Sequence, residues 1–322
     1  MSCMKKLILS CLSAIAALTL YAQASDDSGV TESSLNLNTS SGAIMGTLML
    51  PASAEKIPVV LLIAGSGPTD RNGNSPMTKN ESLRLLSRAL VLNGIATLRY
   101  DKRGIAASTA AGKPEADLLF DDYVVDAKGW IALLKADPRF SKVIVAGHSE
   151  GALIGMIAAS GAADGFVSIA GAGKPADLIL KEQLAQQPPM IKEPSYAIID
   201  SLAQGKKVQD VNPMLYTLFR PSVQPYLISW FKYNPVTEMA RLNMPVLIVQ
   251  GTKDLQITTS DAALLAAAKP GTQPALIENM NHVLKIIEGD RNENIASYGN
   301  PSLPVSTALV KLLTDFVLER KQ

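Results

Sequence analysis

The sequence predicts an α/β protein built on a mostly parallel β-sheet with helices on both faces. Short apolar runs that are typical of buried strands alternate with longer segments whose apolar residues recur at helical spacing. Regular alternation of strand and helix gives a parallel sheet that is covered on both faces. The 322 residues are 47% hydrophobic and 18% charged, which allows a large core and excludes a disordered or collagen-like chain.

The first residues have the pattern of a secretory signal peptide. Two lysines, Lys5 and Lys6, precede an apolar stretch of about fourteen residues, and Ala22-Gln23-Ala24 is a small-x-small cleavage pattern. We expect residues 1–24 to be removed and the mature protein to be periplasmic or secreted. A transmembrane anchor and a buried helix are the alternatives, but the stretch is shorter than the roughly 20 residues that a bilayer span needs.

Both cysteines, Cys3 and Cys11, lie in this leader, so the mature chain would have no thiol for a disulfide, a metal site or a covalent mechanism. A lipid anchor on Cys11 is disfavoured because only four residues separate it from Lys6. Loss of Lys5 and Lys6 takes the 30 basic residues to 28, against 29 acidic ones. That balance indicates no nucleic-acid partner and no stable membrane anchor after cleavage.

The first part of the mature chain predicts three strands, a helix and a fourth strand. SSLNLNT and AIMGTLMLP read as antiparallel strands, and IPVVLLIAG at 57–65 is typical of a strand buried on both faces. A loop rich in glycine, asparagine and proline follows it, GSGPTDRNGNSP. SLRLLSRALVLNG then predicts a helix that ends at Asn93-Gly94, and IATLRYD predicts the next strand.

The alternation continues to the end of the chain with one interruption. Residues 120–137 predict a helix, KVIVAG at 142–147 a strand and ALIGMIAAS a helix. Three further buried strands and an amphipathic closing helix are expected at FVSIAGAG, PVLIVQG, PALIEN and VSTALVKLLTDFVLERK.

The interruption falls at residues 174–242, which are helix-rich, contain several prolines and show no convincing strand. An insertion between two strands at this point would lie over the carboxyl ends of the sheet, where open α/β sheets bind ligands. We therefore expect a core of residues 25–173 and 243–322 and a helical cap at 174–242. A helical appendage with its own small core is the alternative. The stretch is rich in aromatic residues, namely Tyr216, Phe219, Tyr226, Trp230, Phe231 and Tyr233.

Residues 147–151 read GHSEG, a G-x-S-x-G pattern between a predicted strand and a predicted helix. The glycines have a steric reason: such a turn strains the serine backbone, and side chains at Gly147 and Gly151 would collide with the neighbouring strand and helix. A serine hydroxyl becomes a nucleophile only with a base in hydrogen-bond reach and a third group that holds the base. Ser149 is the candidate nucleophile if the chain supplies these partners.

The search for a base is short because the sequence contains only two histidines. His148 adjoins Ser149, and at such a turn its side chain is expected to point away from the nucleophile and pack in the core. His282, just after the last predicted strand, is therefore the candidate base. Its alternative is an ordinary surface or core histidine.

The acid is expected between the serine and the histidine in chain order, at the end of a strand. Asp254 meets both conditions because it follows the strand PVLIVQG. Weaker candidates are Asp261, which is expected in a helix, and Asp200 and Asp210 in the inserted region. The order serine, aspartate, histidine differs from the orders in trypsin-type and subtilisin-type enzymes.

Acyl transfer also needs two backbone N–H groups that are aimed at a developing oxyanion. We expect one from Glu150, whose carboxylate is expected at the solvent edge or behind the residues that contact substrate. The other is expected from the loop Gly65-Ser66-Gly67-Pro68, with Ser66 favoured over Gly67. This loop could alternatively cradle a phosphate, but no Gly-Lys-Ser/Thr follows it.

With these motifs, nearly all of the mature chain resembles α/β-hydrolase fold proteins, in the branch of carboxylesterases grouped with serine aminopeptidase-like hydrolases. The matching segments are AGSGPTDRNGN, YDKRGIAAS, GHSEG, WFKYNPVTEMARLNMPVLIVQGTKD and NMNHVLK. The resemblance implies Ser149 as nucleophile, His282 as base, Asp254 as its orienting acid, and Ser66 and Glu150 as oxyanion donors. It also implies that residues 174–242 are the cap.

One residue departs from the pattern of these relatives. Many of them place a histidine before the first glycine of the oxyanion loop, and this chain has Ala64. The support of that loop must therefore come from elsewhere in the chain.

The expected activity is hydrolysis of carboxylic esters through an acyl-enzyme, with a small-molecule ester or a short peptide as substrate and no cofactor. A peptidase or amidase is the first alternative, for which Glu182, Glu193 and Asp200 are carboxylates available in the cap. A thioesterase and a non-catalytic binding protein are further alternatives. Relatives with an aspartate nucleophile are excluded by Ser149, and two histidines without a mature cysteine allow no metal motif such as H-E-x-x-H.

Overall fold

A computed structural model of the chain describes residues 22–23, 29–53 and 55–320. Among these residues, nine strands form one sheet in the order β1-β2-β3-β5-β4-β6-β7-β8-β9. The strands are β1 Ala22–Gln23, β2 Thr31–Thr39, β3 Gly42–Leu50, β4 Ile57–Ile63, β5 Ala96–Tyr100, β6 Phe140–His148, β7 Gly165–Ile169, β8 Val246–Gly251 and β9 Pro274–Ile277. The pairs β1–β2, β2–β3 and β3–β5 are antiparallel, and all later pairs are parallel.

Eleven α-helices are present in the same ranges. They are α1 Ser82–Leu92, α2 Phe120–Ala136, α3 Glu150–Ala159, α4 Ala176–Leu184, α5 Pro189–Ala203, α6 Tyr216–Phe219, α7 Gln224–Phe231, α8 Pro235–Ala240, α9 Thr259–Ala267, α10 Arg291–Ser297 and α11 Thr307–Leu318. Short 3-10 helices lie at Ala106–Ala111, Glu115–Asp117 and Pro213–Leu215. None of the helices in the described ranges combines the length and the apolar character needed to cross a bilayer.

The predicted fold class is confirmed, and each strand expected from the sequence is present. The expected leader lies outside the described residues except for β1, and cleavage after Ala24 would leave the other eight strands. The helix α10 was not expected, because its sequence RNENIAS has no apolar periodicity. It begins with Asp290 as its N-cap, whose side chain accepts hydrogen bonds from the N–H groups of Asn292 and Glu293.

The central strands are apolar without interruption because both faces of the sheet are covered. Along β4, Val59, Leu61 and Ile63 belong to the hydrophobic cluster that includes residues of α2 and α3. The intervening Val60 and Leu62 belong to the cluster on the opposite face, which includes residues of α1 and α11. Successive side chains of a strand point to opposite faces, so a run of apolar residues fills both clusters.

Between β7 and β8 the chain forms α4 to α8 and no strand. These helices have a hydrophobic cluster of their own, which includes Ile198, Ile199, Leu202, Leu215, Phe219 and Leu227. The cluster meets the core at α2, where the ring of Trp230 stacks on Phe120 with centroids 6.0 Å apart. The function of this insertion as a cap stays a prediction at this point.

The topology gathers the candidate residues at one edge of the sheet. The loop at 65–68 follows β4, Ser149 follows β6, Asp254 follows β8 and His282 follows β9. Because the strands β4, β6, β8 and β9 run parallel, all four segments leave the sheet at its carboxyl edge.

Candidate active site

Ser149 occupies a sharp turn between β6 and α3. Its backbone has φ 56° and ψ −122°, a conformation that residues with a side chain rarely adopt. The turn is held by the N–H of Ser149, which donates to the carbonyl of Ile169 on β7 at 3.0 Å. A strained backbone of this kind costs about 1–3 kcal/mol and persists only where the surroundings impose it.

The glycines on either side of Ser149 permit a very close approach of backbones. A Cβ atom on Gly147 would lie 2.1 Å from the carbonyl oxygen of Gly151. A Cβ atom on Gly151 would lie 2.4 Å from the carbonyl oxygen of Ile63, at the end of β4. The steric reason expected for the two glycines is therefore confirmed.

His282 and Asp254 form a buried pair. The Nδ1–H of His282 donates to Oδ2 of Asp254 at 2.8 Å, and the two side chains are 6% and 1% exposed. The other oxygen, Oδ1, accepts the N–H groups of Gln256 at 2.8 Å and Ile257 at 3.0 Å. Gln250 on β8 donates its side-chain amide to Oδ2 at 3.1 Å, a contact that the sequence reading missed.

These contacts keep Asp254 ionised. Burial raises the pKa of its carboxyl, but the charge and hydrogen bond of His282 and the two backbone N–H groups outweigh burial and lower the pKa overall. An ionised Asp254 holds the proton on Nδ1 of His282. The second ring nitrogen, Nε2, is then free to accept a proton.

The competing acids have other partners or lie in solvent. Asp261 accepts the N–H of Thr258 at the start of α9 and the N–H of Gly173, both at 3.1 Å. Asp200 pairs with Lys181 on the surface, and Asp210 is exposed. Of the four candidate acids, Asp254 is the one in contact with His282.

Ser149 and His282 line the same cavity of about 300 Å³. No hydrogen bond joins the Ser149 hydroxyl to His282 among the described residues. Contacts between a nucleophile and its base are often long in ligand-free sites and shorten when substrate binds. Nor does any cluster of His, Cys, Asp or Glu in the described ranges have a metal-binding arrangement.

Two candidate oxyanion donors lie beside the serine. Ser66 and Glu150 line a second cavity of about 370 Å³ together with Ser149. Within the described ranges, the backbone N–H groups of both residues donate no hydrogen bond, which leaves them available to an oxyanion. The N–H of Gly67 likewise donates none, so the preference for Ser66 over Gly67 stays a prediction.

The carboxylate of Glu150 is buried, so of its two expected positions the solvent edge is wrong and the position behind the residues that contact substrate remains. Its Oε1 lies 3.2 Å from Nζ of Lys102, and the two side chains are 2% and 1% exposed. Lys102 follows β5 in the segment YDKRG and also donates to the carbonyl of Gly65 at 2.5 Å. Its ammonium group lies 5.0 Å from the ring centroid of Tyr123. Nothing in the segment YDKRG itself indicates this role of the lysine.

Lys102 thereby supports the loop that Ala64 cannot support with a side chain. The carbonyl of Gly65 and the N–H of Ser66 belong to one planar peptide group. A hydrogen bond that fixes the carbonyl therefore also fixes the direction of the N–H. The same ammonium group is paired with Glu150, the residue that carries the second candidate donor.

His148 is buried, as expected, but it also contacts the candidate base. Its Nε2–H donates to the backbone carbonyl of His282 at 2.8 Å, and the two ring centroids are 4.8 Å apart. Burial and then the neighbouring His282 lower the pKa of His148 to about 3. The ring is therefore neutral near pH 7 and holds the loop that carries His282.

Comparisons with known proteins find similarity to serine hydrolases and esterases. The family described as "Serine aminopeptidase, S33" matches residues 81–217, less than half of the chain. Esterase EstD of Thermotoga maritima is 26% identical over 258 residues, which cover 76% of this chain. The match spans only 58% of that esterase, less than two thirds of its length.

Solved structures extend the likeness to most of the chain. Est1E from Butyrivibrio proteoclasticus with bound ferulic acid has a TM-score of 0.61 and 16% identity, covering 89% of this chain and 98% of that one. The α/β hydrolase GrgF from Penicillium sp. sh18 has a TM-score of 0.60 and 18% identity over the same shares. Dienelactone hydrolase from Anabaena variabilis has a TM-score of 0.54 and 16% identity, covering 91% and 100%. The chain therefore has an α/β-hydrolase fold.

The pKa of His148 predicts a pH-dependent stability. Between about pH 6.5 and pH 3, the unfolded chain binds a proton at His148 that the folded chain excludes. The free energy of unfolding should therefore fall as the pH falls, by up to about 1.4 kcal/mol per pH unit. His148→Gln, which retains an amide donor for the His282 carbonyl, should reduce this slope in urea unfolding at several pH values. A slope equal to that of the wild type would contradict the prediction.

The position of Lys102 predicts an effect on kcat. Lys102→Met alone would leave Glu150 charged and unpaired, so the informative variant is Lys102→Met with Glu150→Gln, compared with Glu150→Gln alone. We expect the double variant to lose about 10- to 100-fold more kcat on an activated ester, with little change in KM, because an oxyanion donor loses its alignment. Steady-state kinetics and circular dichroism measure activity and folding. Equal kcat values in the two folded variants would refute a positioning role.

Proposed function

We propose that the protein is a serine hydrolase that cleaves carboxylic esters through an acyl-enzyme intermediate. The observation that carries the proposal is the buried hydrogen bond of 2.8 Å between Asp254 and His282, which lines the same cavity as the strained Ser149. A base that is held by an acid, next to a serine on a sharp turn, is the arrangement that makes a serine hydroxyl nucleophilic.

In the proposed mechanism, the Ser149 hydroxyl attacks the ester carbonyl while Nε2 of His282 takes its proton. The developing oxyanion accepts hydrogen bonds from the N–H groups of Ser66 and Glu150. His282 then gives its proton to the leaving alkoxide, which departs as the alcohol. A water molecule, activated by the same histidine, cleaves the acyl-enzyme and releases the acid and the free serine.

The surroundings of Ser149 favour an ester over a peptide with a free amine. Such an amine would need an unpaired carboxylate near the cavities. Glu150, the one carboxylate that lines the larger cavity in the described chain, is paired with Lys102. In the insertion, Glu182 pairs with Lys174 at 2.6 Å.

The other two cap carboxylates considered for an amine, Asp200 and Glu193, line neither cavity. Asp200 pairs with Lys181 at 2.5 Å, and Glu193 is exposed. The partial match to an esterase supports the same choice, whereas the family description supports serine hydrolysis in general. We further propose that residues 174–242 act as the cap, since they contribute most of the apolar side chains around the larger cavity.

The nucleophile is tested by Ser149→Ala. This variant should lose at least about 10⁴-fold in kcat on p-nitrophenyl butyrate, because the remaining groups cannot form an acyl-enzyme. Ser201→Ala, which removes an exposed hydroxyl on α5, is the matched control and should retain full activity. A fluorophosphonate should label the wild type and not Ser149→Ala. Retained turnover or labelling in that variant would overturn the assignment.

We also propose that the protein is exported, on the strength of the basic, apolar and small-residue pattern in residues 1–24. Expression of the full sequence in a bacterium should give an extracytoplasmic protein that begins at Ser25, as read by intact mass. Ala24→Phe should leave the precursor uncleaved, because the cleavage site requires a small residue. Recovery of the wild type in the cytosol with its first 24 residues intact would contradict export.

A further inference from the structure

Two cavities of different chemistry meet at Ser149. The first, called here the apolar cavity, has a volume of about 370 Å³, and the second, the polar cavity, about 300 Å³. Both are lined by Ser66, Pro68, Ser149 and Gln256. A substrate whose carbonyl lies at Ser149 can therefore extend into both.

The proposed chemistry assigns one half of the ester to each cavity. Glu150 lines the apolar cavity and carries the proposed oxyanion donor next to Ser149. His282 lines the polar cavity. The leaving oxygen must receive its proton from His282, so the alcohol leaves on the side of that histidine. The acyl group then occupies the apolar cavity and the alcohol the polar cavity.

The apolar cavity suits a hydrocarbon or aromatic acyl group. Aliphatic and aromatic side chains make up most of its wall, including Leu153, Ile179, Leu180, Leu227, Trp230 and Ile257. Its two cationic side chains have acidic partners: Lys174 pairs with Glu182, and Arg220 pairs with Glu115.

The polar cavity has a more polar wall than the apolar cavity. Hydroxyl and amide groups dominate its wall, including Ser66, Thr78, Asn80, Ser82, Gln256 and Tyr298. Two of these groups lack a partner. Tyr298 has a buried hydroxyl without a hydrogen bond, and Asn80, which is 3% exposed, uses its Oδ1 for the N–H of Ser82 but donates its Nδ2 to no described atom.

The hydroxyl of Tyr298 retains its proton and can donate. Burial, followed by the charge of Asp254, raises the pKa of Tyr298 to about 12. The Gln256 side chain and the backbone of Leu255 and His282 act in the opposite direction and lower that pKa. A hydroxylated ligand would satisfy this donor, whereas a hydrocarbon would leave it buried and unpaired.

We propose that the natural substrate is an ester of an apolar acid with a small polyhydroxylated alcohol, of the size of glycerol or a monosaccharide. This inference rests on the proposed ester hydrolysis by Ser149 and His282. Sites built to hydrogen-bond a substrate hydroxyl discriminate strongly against analogues that lack it, because their own polar groups are then left unpaired.

The test compares esters of one acid with alcohols of different polarity. The wild type should hydrolyse 1-monobutyryl glycerol or glucose 6-butyrate with a kcat/KM at least about tenfold above that of pentyl butyrate, which matches the glycerol ester in its number of non-hydrogen atoms. A value for pentyl butyrate that equals or exceeds those of both polyol esters would overturn the inference.

Tyr298→Phe probes the cavity itself, since it removes only a hydroxyl that makes no hydrogen bond of normal geometry with the described residues. The variant should lose about threefold to tenfold in kcat/KM on the preferred polyol ester and be unchanged or faster on pentyl butyrate. Tyr216→Phe, which removes an exposed hydroxyl on α6 outside both cavities, should change neither rate. Equal effects of Tyr298→Phe on the two classes of ester would overturn the inference.

The proposed function is checked separately with p-nitrophenyl butyrate, whose leaving group carries no alcohol hydroxyl. If Ser149 turns over this ester while the polyol preference is absent, only the substrate assignment fails. If the wild type cleaves no ester, both proposals fail.

Discussion

The close approach of three backbone segments at Ser149 is the constraint on which the rest of the site depends. The end of β4, the turn after β6 and the start of α3 come so near each other that Gly147 and Gly151 have no room for a Cβ atom. The two candidate oxyanion donors follow directly from this contact, since Ser66 lies just after β4 and Glu150 begins α3. The glycines thus set the distance between the serine and both N–H groups, at the cost of a strained serine backbone.

The ion pair of Lys102 and Glu150 fixes the position of the loop after β4 relative to the start of α3. Removing two charges from water is expensive, and a buried pair often contributes little net stability. Its value here lies in position, because the ammonium group bridges the carbonyl of Gly65 and the residue after Ser149. In a chain with Ala64 before this loop, a buried lysine that follows the neighbouring strand β5 orients the loop.

The loop that carries His282 is held on two sides. Asp254 holds the ring through Nδ1, and His148 holds the backbone carbonyl. His148, the neighbour of Ser149, therefore positions His282, which couples the turn after β6 to the loop after β9. The coupling requires a neutral His148, and burial supplies that condition near pH 7.

Local patterns in the sequence determined the strands, most of the helices and the identity of the candidate triad. Uninterrupted apolar runs indicate strands that are buried on both faces. With only two histidines, and one aspartate at the end of a strand between Ser149 and His282, few choices remained for the candidate base and acid. The catalytic roles themselves stay predictions. The helix α10 could not be predicted, because its polar sequence has an N-cap residue but no apolar periodicity.

Only the tertiary structure decided which side chains meet. Lys102 lies 37 residues from Gly65 and 48 from Glu150 along the chain, so no local pattern links them. The polar cavity likewise combines Asn80, Gln256 and Tyr298, which come from three separate segments. The spacing of apolar residues indicates which side of a segment is buried. Contacts between side chains that are distant in sequence depend instead on the order of the strands and on the paths of the loops between them.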